Sequence, residues 1–183
     1  SELIHIGGDE CPKVRWEKCP RCQARIRQLG LRDKDGYTAE HYLQGYVTDR
    51  IGKYLAERGR RIIGWDEILE GQAPSDAIVM SCRGSAGGIK AAKLGHDVIM
   101  TPNSHFYFDY YQSPDADAEP FGIGGCVTID KVYSFDPMAD LTPGQQAHIL
   151  GVQANLWTEY IASDDHLEYM LLPRLAALSE VQW

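Results

Sequence analysis

Short, uninterrupted apolar runs alternate along this chain with longer stretches in which apolar residues recur every three or four positions. The runs are LIHI at 3–6, RIIGW at 61–65, DAIVMSC at 76–82, HDVIMTP at 96–102 and HILGVQANLW at 148–157. The first four lack polar alternation, so each reads as a strand of a parallel sheet buried on both faces. Between them, Cys22, Ile26 and Leu29 repeat at helical spacing within 17–29, and Gly30 stops the pattern. Leu43, Val47, Ile51 and Leu55 mark a longer helix, with Thr38 as its N-cap and Gly59 beyond its end. Residues 87–95 form a short helix closed by Gly95. A last helix covers 164–182, with Leu167, Leu171, Leu175 and Leu178 on one side, and Pro173 kinks or divides it. Strand-helix repetition of this kind predicts an α/β architecture with right-handed crossovers.

The residues suited to chemistry fall at repeating places in this pattern. Asp9 and Glu10 follow the first strand, Trp65, Asp66 and Glu67 the second, and Cys82 and Arg83 the third. Tyr107 and Asp109 follow the fourth, and Trp157 and Glu159 the fifth. In a parallel α/β barrel the C-terminal ends of the strands converge on one face, where the active site lies. The stretch from 103 to 147, rich in Pro, Asp, Gly and Tyr, is a long connection of the kind that serves function.

Bulk composition narrows the partners. With 183 residues, 44% of them hydrophobic, the chain can bury a core as one domain or part of one. A net charge of −8, with no basic stripe, argues against nucleic acid and against an anionic membrane surface. No apolar run approaches the roughly 20 residues of a membrane-spanning helix, so no membrane insertion is expected. No signal peptide stands at the start, and the chain opens directly inside a strand.

Of the five cysteines, Cys19 and Cys22 have metal-ligand spacing, but no second pair accompanies them. Ordinary thiols or one local disulfide are expected ahead of zinc or a redox dithiol. Gly84, Gly87 and Gly88 fall short of a dinucleotide fingerprint and read as a turn. Asp115 and Asp117 lack a calcium-loop pattern and read as a solvated loop. His5 is expected to be a buried, hydrogen-bonded core residue, Tyr110 and Tyr111 loop packing, and Trp16 and Trp183 packing residues.

Four segments in order, HIGGDE (5–10), GWDEIL (64–69), YFDYYQ (107–112) and GVQANLWTEYI (151–161), resemble the catalytic domain of bacterial β-N-acetylhexosaminidases of glycoside hydrolase family 20. The resemblance implies a partial (β/α)8 TIM barrel, strands 4–8 with their helices. Residues 1–183 would then be a single truncated catalytic fragment with no internal boundary. It implies an exo-acting hydrolase that removes terminal β-linked N-acetylglucosamine or N-acetylgalactosamine. Members of this family are a known exception to the two-carboxylate scheme, the substrate's own acetamido oxygen acting as nucleophile. By resemblance, Glu10 is the general acid, and Asp9 holds the acetamido N–H and stabilises the oxazolinium intermediate.

Trp65 and Trp157 match aromatic walls around the acetyl methyl, Tyr107 the hydroxyl that orients the acetamido oxygen, and Asp109 and Glu159 acids that bind sugar hydroxyls. Asp66 and Glu67 are given supporting, ion-pairing roles. No metal and no organic cofactor is implied, and the partner is a glycan ending in an N-acetylhexosamine. Family habit places such enzymes in the periplasm, at the cell surface or outside the cell. One position departs from the pattern: Cys82 stands where relatives commonly carry a Trp, which removes an apolar wall. The alternative expectation is a catalytically incompetent piece, carbohydrate-binding or structural. An open half-barrel would also expose sheet edges and apolar surface, inviting self-association.

Overall fold

The computed structural model describes residues 1–183 and contains one five-stranded sheet, every neighbouring pair parallel, in the order β1 to β5. The strands are β1 Leu3–His5, β2 Arg61–Trp65, β3 Ile78–Ser81, β4 Val98–Met100 and β5 Ile149–Val152. Helices α1 Val14–Lys18, α2 Pro20–Leu29 and α3 Ala39–Ala56 connect β1 to β2, and α4 Ala86–Lys93 connects β3 to β4. Three short helices, α5 Asn103–Phe106, α6 Ile129–Tyr133 and α7 Pro143–Gln146, precede β5. Helices α8 Asp164–Leu171 and α9 Arg174–Gln182 end the chain.

Side chains on a strand point alternately to its two faces, and the core divides accordingly. Ile62, Val79, Val98 and Met100 join the larger cluster, which takes in Phe106, Phe108, Val127, Val132, Ala177 and Leu178. Ile63, Trp65, Ile78, Met80 and Cys82 build a second cluster on the opposite face, with Ile99 and Tyr107 against it. The central strands β2 and β3 are thus covered on both sides, as their unbroken apolar runs predict.

Several expectations need correction. β1 is not buried: Ile4 and His5 are exposed, because β1 is an edge strand with a neighbour on one side only. The single helix predicted over 17–29 is two, α1 and α2. Cys19 lies between them in extended conformation and Pro20 opens α2, where a missing N–H costs nothing. The 103–147 connection is threaded by α5, α6 and α7 rather than being one irregular loop. Trp183 is fully exposed and packs on nothing. Thr38 does cap α3, in a capping box completed by His41 rather than by Glu or Gln. Pro173 does divide the last helical stretch, into α8 and α9.

Arg174, the first residue of α9, has no exposed surface. Its guanidinium donates to the main-chain carbonyls of Phe108 (2.6 Å), Tyr110 (2.9 Å), Val127 (3.0 Å) and Met170 (2.5 Å). It also lies 4.8 Å from the centre of the Phe108 ring. Burial pulls its pKa down to about 10, with Glu119 and Asp109 working in the opposite direction. One side chain therefore ties the 107–111 segment and the strand-like stretch at Val127 to the last two helices. Replacing it with methionine would leave several buried carbonyls without donors, each costing about 1–3 kcal/mol. Arg174→Met is expected to lower unfolding free energy by at least about 3 kcal/mol, measured by urea denaturation. A lysine, unable to reach four carbonyls with one planar fork, is expected to restore less than half of that loss.

Candidate active site

The segment after β1 turns sharply. Gly7 and Gly8 have φ of +69° and +99°, and Glu10 itself sits at +48°. A Cβ on Gly8 would also come within 2.4 Å of Ile68 Cγ2, so both the backbone and the space require glycine there. The turn is fixed at two points. Gln44 Nε2 donates to the Gly8 carbonyl at 2.8 Å, and the Glu10 N–H donates to Glu67 Oε2 at 2.9 Å. Asp9 and Glu10 are left with exposed side chains at the C-terminal end of β1.

The segment after β4 meets the extension of β5. The Phe108 N–H donates to the Asn155 carbonyl at 2.7 Å, and the Asn155 N–H to the Phe106 carbonyl at 2.8 Å. This pairing sets Tyr107 beside Trp157, ring centres 6.2 Å apart and edge to face, while Tyr107 meets Tyr110 at 5.6 Å. Trp65, at the end of β2, lies 5.9 Å from Trp157. Trp65 is buried at 9% exposure, whereas Trp157 presents 40% of its surface.

These segments enclose a cavity of about 270 Å³. Asp9, Glu10, Tyr107, Asp109, Trp157 and Glu159 line it, and so do Tyr110 and Ile123. Six of the seven site residues named from the sequence thus share one cavity. Trp65 is the exception. It stands behind Trp157 and lines an adjoining space of about 570 Å³ with Ile63, Met80 and Asn155. Tyr110, expected to be loop packing, is part of the cavity wall. Ile123 comes from the long connection, where no periodic signal marked it.

Electrostatics differ among the acids. Asp109 is 6% exposed, and its Oδ1 has no hydrogen-bond partner. Burial raises its pKa, the main-chain amides of Asp109 and Trp157 and the charge of Arg174 pulling back, and Glu159 adding to the rise. Tyr107 is pushed up to about 12, chiefly by burial, so its hydroxyl keeps its proton. A buried carboxylate on a polar cavity, one oxygen without a partner, retains unused acceptor capacity.

Behind the site, Asp66 is buried and its Oδ2 receives the N–H groups of Cys82 (3.1 Å) and Arg83 (3.2 Å). Arg83 Nε donates to Asp66 Oδ1 at 2.7 Å and Nη2 to Glu70 Oε1 at 2.8 Å. The ion-pairing role expected of Asp66 and Glu67 is what the geometry contains, Arg83 Nη1 lying 3.7 Å from Glu67 Oε1. Cys82 is buried in the cluster of Trp65, Ile63 and Met80, with Tyr107 against it. Burial and the neighbouring Asp66 push its thiol up to about 11, so it contributes a neutral apolar wall. His5 is exposed, contrary to expectation, yet its Nδ1 accepts the Gly7 N–H at 3.0 Å and its ring packs edge-on to Trp65. All five cysteines are free thiols.

Parallel strands whose C-terminal ends gather acids and aromatic walls around one small polar cavity define an α/β protein with a candidate active site at the strand ends. Comparison with known proteins is specific on this point. The model of the glycosyl hydrolase family 20 catalytic domain matches residues 1–183. A β-hexosaminidase of Porphyromonas gingivalis is 48% identical over 182 residues, covering 98% of this chain and 22% of that protein. One from Vibrio furnissii is 32% identical, covering 98% and 29%. The GH20 exo-β-N-acetylglucosaminidase of Vibrio harveyi, solved in complex with N-acetylglucosamine, superposes with a TM-score of 0.84 at 30% identity, covering 100% of this chain and 28% of that one. The chain belongs to glycosyl hydrolase family 20 and corresponds to part of its catalytic domain. It spans between a fifth and a third of the length of these relatives.

Keeping Asp109 buried costs stability once it ionises. Its folded pKa lies above the unfolded value, so folding favours the protonated form. The penalty is absent below the unfolded pKa and complete above the folded one. Asp109→Asn is therefore expected to raise the melting temperature at pH 7, with the gain shrinking as pH falls towards 4. Thermal melts at the two pH values check this.

Proposed function

We propose that these residues form the catalytic half of an exo-β-N-acetylhexosaminidase site that cleaves terminal β-linked N-acetylglucosamine or N-acetylgalactosamine with retention. The observation that carries the reading is the shared cavity of Asp9, Glu10, Tyr107, Asp109, Trp157 and Glu159. It holds acids of different burial beside an aromatic wall, and the bound N-acetylglucosamine of the Vibrio harveyi relative supports the sugar class.

In this reading the acetamido oxygen of the substrate attacks its own anomeric carbon, forming a C1–O bond as the bond to the aglycone oxygen breaks. Glu10 gives its proton to the departing oxygen. Asp9 accepts the acetamido N–H and offsets the positive charge that develops on the oxazolinium ring. Tyr107, held protonated, donates to the acetamido oxygen and aims it at the anomeric carbon. Glu10 then takes a proton from water as that water attacks the anomeric carbon and the ring opens. Trp157, with Trp65 behind it, excludes water from the acetyl group. Asp109 and Glu159, both on the cavity wall, accept hydroxyls at the far side of the sugar. No step in this scheme requires a metal or organic cofactor.

The test is hydrolysis of aryl β-N-acetylglucosaminides by the longest natural chain that carries these residues, and by the 183 residues alone. Glu10→Gln is expected to lower kcat by roughly 10²–10⁴ for substrates with poor leaving groups, with KM little changed. Unaltered turnover would refute the assignment of Glu10. Turnover by the longer chain with only glycan binding by the 183 residues would assign competence to the larger assembly.

The exposed edges and flank suggest a second property of the 183 residues by themselves. β1 and β5 are unpaired on one side, and Ile4, Val47, Ile51 and Tyr54 form an exposed apolar face of β1 and α3. We propose that the isolated chain self-associates through this face. Sedimentation velocity is expected to show concentration-dependent oligomers that Ile51→Asp shifts towards monomer. A monomer at all concentrations would refute it.

A further inference from the structure

The acid assigned to proton transfer does not hold its own position. Glu10 is a non-glycine residue at φ +48°, a conformation that L-residues adopt at a cost and keep only when the surroundings impose it. Its main-chain N–H is taken by Glu67 Oε2 at 2.9 Å, across 57 residues of sequence and from a different strand end. Glu67 belongs to the 3₁₀ turn Asp66–Leu69 that directly continues β2, so its carboxylate is carried by rigid sheet and not by a free loop. The same turn presses Ile68 against Gly8, which keeps the acidic turn seated on it.

Glu67 is in turn anchored. Arg83 stands 3.7 Å from its other oxygen, and Arg83 is itself pinned by Asp66 and Glu70. Asp66 is fixed by two main-chain amides at the end of β3. The result is a relay of contacts from β3 through Asp66, Arg83 and Glu67 to the backbone of Glu10. Only the last of these groups lines the sugar cavity.

We infer that Glu67 is a positioning residue for Glu10, its carboxylate holding the Glu10 main chain in the left-handed conformation that carries the acid into the cavity. The inference rests on the reading of Glu10 as general acid and adds a second carboxylate that acts on its backbone. Glu67 accepts a hydrogen bond and transfers no proton to substrate. Its half-buried state, beside Arg83, fits a structural acceptor.

Leaving-group dependence separates this role from a general loss of fold. Proton donation matters most for poor leaving groups and least for good ones, whereas a loosened fold penalises both alike. In the longest natural chain that carries these residues, Glu67→Ala is expected to lower kcat roughly 30- to 100-fold on a 4-methoxyphenyl β-N-acetylglucosaminide, the scale of an ångström-level misplacement. On the 2,4-dinitrophenyl glycoside the loss is expected to shrink to about threefold or less, with KM within about threefold on both. Glu67→Gln retains a carbonyl acceptor for the Glu10 amide and is expected to recover most of the lost rate, whereas Glu67→Asp, one methylene short, is not.

Equal losses on both glycosides, or no loss, would overturn the inference, as would Glu67→Gln behaving like Glu67→Ala. Glu10→Gln, measured in parallel, keeps the two claims apart. If Glu10→Gln shows the leaving-group dependence and Glu67→Ala does not, the positioning role alone falls. If neither shows it, the acid assignment falls and takes this inference with it.

Discussion

A guanidinium with no exposed surface and no hydrogen-bonded carboxylate holds the far wall of the site in place. Arg174 spends its donors on four main-chain carbonyls, three of them in or beside segments that follow β4. A buried cation of this kind is tolerated because every donor is satisfied and because Asp109 and Glu119 lie near enough to raise its pKa. The arrangement has a direct consequence for Asp109. Its main chain lies between the Phe108 and Tyr110 carbonyls that Arg174 grips, and the arginine's charge offsets part of the cost of burying its carboxylate. Packing and loop position thus depend on one side chain, which also eases the burial of a cavity-lining acid.

The near wall is built on a different principle. Arg83 is half exposed and is surrounded by Asp66, Glu67 and Glu70, a network in which acids outnumber the base. Surface ion pairs taken singly are worth little, but here one member of the set, Asp66, is buried and receives two main-chain amides as well. The network orients instead of merely stabilising: its outermost carboxylate takes the amide of Glu10. Two arginines therefore fix the two walls, one through carbonyls and one through carboxylates, and the parallel sheet between them sets their separation.

Much of this was legible from spacing alone. The apolar runs located all five strands, and a parallel sheet demands such runs where it is covered on both faces, as at β2 and β3. The placement of acids and aromatics just past those runs located six of the eight residues that line the cavity, and Trp65 behind them. What stayed hidden has physical reasons. His5 and Ile4 look like core because their neighbours in sequence do, yet β1 has a partner on one side only. Pro20 broke the helix predicted over 17–29, since a helical repeat of apolar residues carries no information about where a chain restarts. Nothing local marks Arg174, a guanidinium three of whose carbonyl partners lie 47 to 66 residues away. Ile123 sits in a connection with neither period.

The difference between Trp65 and Trp157 shows how one residue type serves two ends. Trp65 is set by the pleat of β2, faces the inner cluster and lies tilted against its partner at 5.9 Å between ring centres. Trp157 lies beyond β5 on an extension paired to the Tyr107 segment, and it carries exposed surface to the cavity. Burial makes the first ring a rigid backstop; exposure makes the second a contact surface whose ring is held by edge-to-face neighbours and not by enclosure. Cys82 belongs with the first. Its neutral thiol is buried in the same cluster as Trp65 and Met80, and those two residues line the adjoining space of about 570 Å³ together with Trp157.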